Sequence, residues 1–299
     1  MLKLSVRKAV LAGAIASVFA LSACGQSEKT EEAKVTTAEA TTAEKSVPSA
    51  EDFVEPVSQY KLYVLAEVDE FVIKTKAFTD AIKAGNLEEA QALYAPARLH
   101  YERIEPAAEM FGDLDPIIDA REDDFKKGAE DPEFVGFHRL EKILFEGNTT
   151  DGAQVYAEGL MKNVLELQSR LQEEQIPVVK MVQGAADLME EIAMTKITGE
   201  EDRYSRTDLW DFSGNLEGSM KIVALLKPLI QKADPALLTK LEAGFTDAEA
   251  TLNKYRTTDG QGFQSYEAVT EQDKALMKSQ IAALAEELAT LRGALGLDN

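Results

Sequence analysis

The chain has 299 residues, 32 Lys+Arg against 53 Asp+Glu, and a formal net charge of −21 at pH 7. So acidic a balance argues against nucleic acid as a partner, since phosphates call for a basic face, and against electrostatic docking to anionic lipid. A single cysteine excludes an internal disulfide.

At the N-terminus Lys3, Arg7 and Lys8 form a basic start, followed by an apolar run, AVLAGAIASVFAL, residues 9–21. The run is too short to remain in a bilayer as a spanning helix and fits the apolar region of a secretory signal. It ends in LSAC, Leu21 to Cys24, small residues before a cysteine. Residues 1–23 therefore read as a lipoprotein signal peptide and Cys24 as the lipidated first residue of the mature chain. The alternative is an ordinary signal peptide with a chance cysteine. Cleavage leaves 29 Lys+Arg against 53 Asp+Glu, a net charge of −24. Such a charge is compatible with attracting cations, although acidity also serves solubility alone. Residues 25–50 carry two Val and no larger apolar side chain, so 24–50 is expected to be a disordered tether.

From Glu51 onward the periodicity is helical, with no convincing alternating strand. The expected helices are about 51–84, 87–111, 131–146, 153–172, 174–198, 206–231, 235–256 and 270–295. Gly85-Asn86 is a stop followed by an N-cap. In the second segment Tyr94, Ala97, Tyr101, Ile104, Ala108 and Phe111 form one apolar stripe, and Pro106 should kink the helix. Leu209, Phe212, Leu216, Val223, Leu226 and Ile230 trace another stripe, and TTDGQGF from Thr257 is a loop. The expected fold is all-α, two antiparallel four-helix bundles of about 51–173 and 174–299. The acidic connection Gly112–Glu133 is long for a bundle, a length that marks functional or disordered loops.

The chemistry concentrates in GFHRLEKILF, Gly136–Phe145. On a helix Glu141 lies on the apolar stripe of Phe134, Phe137 and Leu144, and His138 borders it. A carboxylate buried alone is costly and calls for a partner, a proton or a metal. His and Glu at i and i+3 share a helix face, the spacing found on one metal in di-iron bundles. A hydrogen-bonded His–Glu pair in a polar core pocket explains the spacing equally well. In RLHYERIEPAAE, Arg98, Glu102, Glu105 and Glu109 fall on one side of a helix. Taken alone, that row reads first as solvated i,i+4 charge pairs and second as metal ligands. His100 points away from the Tyr101 stripe and is expected at the surface. With no thiolate beyond Cys24, one imidazole and several carboxylates suit iron, manganese or zinc better than copper(I).

These residues resemble the imelysin-like family, specifically the EfeO/EfeM-type periplasmic lipoproteins of bacterial iron uptake. GFHRLE, Gly136–Glu141, matches the family's GxHxxE motif; LYAPARLHYERIEPAAEMFGDLDPIIDARED, Leu93–Asp123, is similar to its acidic-helix block. RYSRTDLWDFSGNLEG, Arg203–Gly218, is similar to its second-bundle segment, and the resemblance covers residues 51–299. It implies two four-helix bundles with a metal site in the cleft between them. It also implies delivery of iron, ferrous or ferric, to an inner-membrane permease, beside a periplasmic haem peroxidase, with zinc or manganese as alternative ions. It points to His138 and Glu141 as metal ligands, to Glu102 and Glu105 as those most apt to join them, and to Glu67 and Asp208 as further additions. Longer relatives have an N-terminal cupredoxin-like domain. Here only the tether separates Cys24 from the helices, so a bundle-only form without that domain's copper site is expected.

Three functions compete. The first is a non-enzymatic iron-binding protein of the periplasm, attached to a membrane through lipid on Cys24. The second is a metallopeptidase, since the imelysin family has been grouped with peptidases; but Arg139 and Lys142 stand where HExxH or HxxEH would place Glu or His. The third is binding of an acidic, alginate-like polysaccharide; a net charge of −24 disfavours direct binding but permits a cation bridge. A purely structural helical lipoprotein leaves Glu141 on its apolar stripe unexplained.

Overall fold

The computed structural model describes residues 47–298; the signal segment, Cys24 and most of the tether lie outside this range. Helix α1 spans Val54–Lys83 and α2 Leu87–Ala108. They pack antiparallel across the Gly85-Asn86 turn, where Gly85 has φ +73° and the Asn86 side chain accepts from the Glu89 N–H at 3.3 Å. Buried Tyr60, Val64, Val68, Phe71, Thr75, Phe78 and Ile82 form the α1 stripe, at steps of three and four. α2 ends at Ala108, two residues beyond Pro106 and three short of the expected end. Pro106 takes one backbone donor out of the last turn.

The acidic connection is folded: α3 spans Asp115–Asp119, and 3₁₀ turns follow at Glu122–Asp124 and Gly128–Glu130. The helix expected over 131–146 begins only at Gly136. Gly136 has φ +78°, which a right-handed helix cannot pass through, and Val135 before it is extended. Helix α4, Gly136–Glu141, runs directly into a π turn, Lys142–Glu146. Phe137 anchors this short helix, with ring centroids 5.8 Å from Phe71, 5.9 Å from Phe78 and 6.1 Å from Tyr94. Full burial of such a ring stabilises by about 1.5–3 kcal/mol.

Helix α5, Gln154–Glu173, lies along α1, and the boundary expected near residue 173 falls in the connection to α6, Val178–Met194. Helices α7, Asp208–Ala233, α8, Pro235–Leu252, and α9, Glu271–Ala294, complete the chain. α6 packs on α9, α7 on α8, and α8 on α9; α2 packs on α7 and α6. Gly214 and Gly218 let α7 approach α2 closely: an added Cβ would stand 2.6 Å from the Glu102 Cβ and 2.3 Å from the Arg103 carbonyl oxygen. The loop at Thr257 carries an isolated antiparallel bridge, Arg256 to Phe263. No β-strand occurs among the described residues. The all-α fold is thus as expected, and α2 is its central helix, touching α1, α6 and α7.

Candidate metal centre

Helix α2 carries the first surprise of the tertiary structure. Arg98 and Glu102 are 0% exposed and Glu105 is 5% exposed, so the row expected to face water is buried against α7 and the residues after α6. Burial of three charges on one face is tolerated because each is paired. The Arg98 guanidinium donates to Glu102 at 2.6 Å, Glu201 at 3.0 Å, Asp211 at 3.3 Å and to Asp119, with Asp202 at 3.5 Å. Tyr94 and Phe137 rings flank it at 5.9 and 5.7 Å. Lys196, 1% exposed, donates to both Glu105 oxygens at 3.0 and 3.2 Å and lies 3.6 Å from Glu102 and 3.4 Å from Glu201. The Asn215 amide donates to Glu102 Oε2 at 2.8 Å and Glu105 Oε2 at 2.7 Å.

His138 and Glu141 are 2% and 1% exposed and face this network from α4. His138 Nδ1 lies 3.2 Å from Glu141 Oε2. Glu141 Oε1 accepts from the backbone N–H of Tyr204 and Ser205, each at 2.8 Å, and from Ser205 Oγ at 3.0 Å. Thus one carboxylate oxygen is tied to the α6–α7 connection and the other to the imidazole. Among the described residues His138 Nε2 has no hydrogen-bond partner. Its nearest acidic atom is Asp119 Oδ1 at 3.6 Å, beyond hydrogen-bond range. If the proton rests on Nδ1, two acceptors face each other there, an arrangement that a cation satisfies. Burial, then the neighbouring Arg98, pushes the His138 pKa well down, which favours the neutral imidazole. Burial, then Asp202, pushes Glu141 well up despite the two backbone N–H groups. Glu201 is held low: burial alone would raise it, but Lys196, Arg121 and Arg98 together outweigh that.

Gly136 fixes the approach of α3 to α4. A Cβ there would stand 2.3 Å from the Ile118 carbonyl oxygen, immediately before Asp119. The glycine of GxHxxE is therefore what lets Asp119 reach His138.

Among the described residues, three groups of acidic and imidazole side chains have potential ligand atoms within 4.8 Å of one another: Asp119, His138 and Glu201; His138, Glu141 and Asp202; and Glu105, Glu109 and Glu191. His138 belongs to two of them. A cavity of about 10 Å³ beside His138 and Glu141, bounded by Arg121, Glu122 and Tyr204, is the size of one water. A larger cleft of about 300 Å³ is lined by Glu105, Glu109, Asp115, Asp119, Asp124, Glu191 and Glu201, with Arg121 and Lys196 as its only cations. Burial, then Asp115 and Glu191, raises Glu109 to about 7.

The remaining expected site residues lie as follows. Glu102 and Glu105 are held by Arg98, Lys196 and Asn215, and neither shares a ligand group with His138. Asp208 starts α7; its Oδ1 accepts from the Asp202 N–H at 3.4 Å, and burial followed by Asp202 raises its pKa to about 8. Glu67, on α1, lies apart: it accepts from His100 at 2.8 Å and pairs with Arg103 at 3.3 Å. His100, expected at the surface, is half-buried in that pair, because α1 and α7 cover the face of α2 it occupies. Asp119, Glu201 and Asp202 went unnoticed in the sequence. Asp119 sat inside the acidic block; Glu201 and Asp202 follow Gly199 in a run with no helical spacing to mark them.

A buried imidazole among carboxylates on packed helices is the kind of donor set that metal-binding helical bundles use. The comparisons specify it further: the imelysin (Peptidase_M75) family matches residues 56–291, and the chain belongs to that family. It is similar to the "Iron uptake system component EfeO" of Escherichia coli (strain K12) and of Shigella flexneri, 59% identical over 242 residues in each case. The same component of Escherichia coli O1:K1 / APEC is 58% identical over 242 residues. Each alignment covers 81% of this chain and 64% of the relative, so the chain spans under two thirds of the curated proteins it matches.

Proposed function

We propose that this protein binds iron as cargo at His138 and passes it on within an iron-uptake system. The observation that carries the reading is the buried Nε2 of His138, without a hydrogen-bond partner and 3.6 Å from Asp119 Oδ1. His138 is the pivot ligand, with Asp119 near its Nε2 and Glu141 at its Nδ1; Glu201 groups with the first pair and Asp202 with the second. An imidazole with carboxylates suits iron, with zinc and manganese as competitors. The iron-uptake role of relatives 59% identical points the same way. Glu102, Glu105 and Asp208 then shape the carboxylate shell rather than touch the ion first, and Glu67 belongs to a separate ion-pair cluster. The large acidic cleft offers the ion a path from solvent.

In this reading the protein is a carrier and not a peptidase. The family's description carries a peptidase label, but His138 is followed by Arg139 and the HExxH base–ligand pair is lacking. The carrier would act in the periplasm, held at a membrane by lipid on Cys24, handing iron to an inner-membrane permease beside a haem peroxidase. No helix among the described residues is long and apolar enough to cross a membrane. Metal analysis and titration of anaerobically purified wild type beside His138→Ala tests the reading. Iron should bind near one equivalent per essential His138, and the variant should lose it. Undiminished iron in the variant overturns the assignment.

A further inference from the structure

We propose that Lys196 is a resident counter-ion of the metal-free cleft, displaced when a metal cation binds, and that it sets how readily the metal leaves. This rests on the cation-binding reading above. The ammonium is 1% exposed and contacts one member of each of two ligand groups: Glu105, at 3.0 Å, of the Glu105–Glu109–Glu191 group, and Glu201, at 3.4 Å, of the Asp119–His138–Glu201 group. It therefore straddles the outer and inner halves of the cleft. The partnerless Nε2 of His138 marks the inner half as a place built for a ligand.

A metal draws carboxylate oxygens to about 2.0–2.6 Å and carries at least twice the charge of an ammonium. A metal in either group would take a carboxylate away from Lys196 and repel it. The two buried cations differ in their freedom to respond. Arg98 is clamped by five carboxylates and lies between two rings. Lys196 stands at the start of a 3₁₀ turn, Lys196–Thr198, and lines the open cleft of about 300 Å³. Its flexible four-carbon stem can carry the ammonium out into that space while the stem stays against the wall. Returning to Glu105 and Glu201, the same ammonium competes with the metal and favours release. A tight cage of carboxylates thus becomes a reversible one, as a carrier must be.

The test is ferrous iron, added anaerobically, with affinity measured by titration and release by mixing the loaded protein with excess ferrous chelator. Lys196→Met should bind tighter and release about tenfold or more slowly, since one opposing charge has gone. Lys196→Arg should stay near wild type. Merely structural damage would loosen binding and not tighten it. Unchanged or faster release from a folded Lys196→Met protein overturns the proposal. If that variant does not fold, Lys196→Met/Glu105→Gln, which removes both partners of the buried pair, replaces it. Release slower than from Glu105→Gln alone supports the proposal, and equal or faster release overturns it. Wild type that binds no iron, or binds it without His138, defeats the carrier reading instead; His138-dependent binding with unaltered release defeats this one alone.

Discussion

The two histidines make a natural comparison. Each sits beside a glutamate, and each has arginine nearby. His100 lies on α2, half-buried, 2.8 Å from Glu67, with Arg103 bridging Glu67 and Glu217. Every charge there has a partner on an adjacent helix, and the cluster works as a clamp between α1, α2 and α7. His138 is 2% exposed, held at Nδ1 by Glu141 and left without a partner at Nε2. Adjacency of His and Glu is common to both. What separates the proposed metal centre from the clamp is a buried ring nitrogen that the described residues do not satisfy, beside carboxylates.

The largest effect should come from the cation beneath the His138 site. Arg98→Leu leaves its carboxylate partners buried and uncompensated and should destabilise the fold by about 3–5 kcal/mol, read by denaturant unfolding. A loss below about 1 kcal/mol would show that those carboxylates are protonated and need no partner. Next, His138→Ala and Glu141→Ala should each weaken iron binding about 100-fold, while His100→Ala leaves it within about twofold. Equal losses at both histidines would erase the contrast. Gly136→Ala combines a positive φ with a Cβ 2.3 Å from the Ile118 carbonyl oxygen. It should cost about 1–3 kcal/mol and weaken iron binding by drawing Asp119 from His138.

A smaller effect concerns pH. Glu109 is raised to about 7 from 4.5, chiefly by burial. The folded state then binds the proton more tightly than the unfolded chain. Its contribution is full below pH about 4.5 and is lost as pH rises to about 7, by about 1–3 kcal/mol. In metal-free protein, Glu109→Gln should flatten that part of the stability profile. The smallest change is expected from Glu67→Gln: about 1 kcal/mol or less, because the cluster is part-exposed, with iron binding unaltered. Loss of iron in that variant would bring Glu67 back to the metal.

Much of this was legible without coordinates. The helices α1, α5 and α9, the Gly85-Asn86 turn and the apolar stripes follow from local spacing and capping. The apolar stripe also marked Glu141 as buried, and it is. Less legible was the row Arg98, Glu102, Glu105. Helical spacing says which residues share a face, but whether that face meets water depends on which helix covers it, and here α7 does. The helix expected over 131–146 begins late for a reason one sequence does not reveal: Gly136 takes a positive φ where the Ile118 backbone leaves no room for a Cβ.

The sequence by itself determined an all-helical acidic chain and the HxxE pair, because 3.6-residue periodicity and i,i+3 geometry are local properties. Only the tertiary structure decided the company that pair keeps. Asp119, Glu201 and Asp202 gather near His138, while Glu67 goes to His100, because the packing of α1 against α2, of α2 against α7 and of α3 against α4 sets those distances. The same packing buries Arg98 and Lys196, so the carboxylates gather around cations instead of facing solvent.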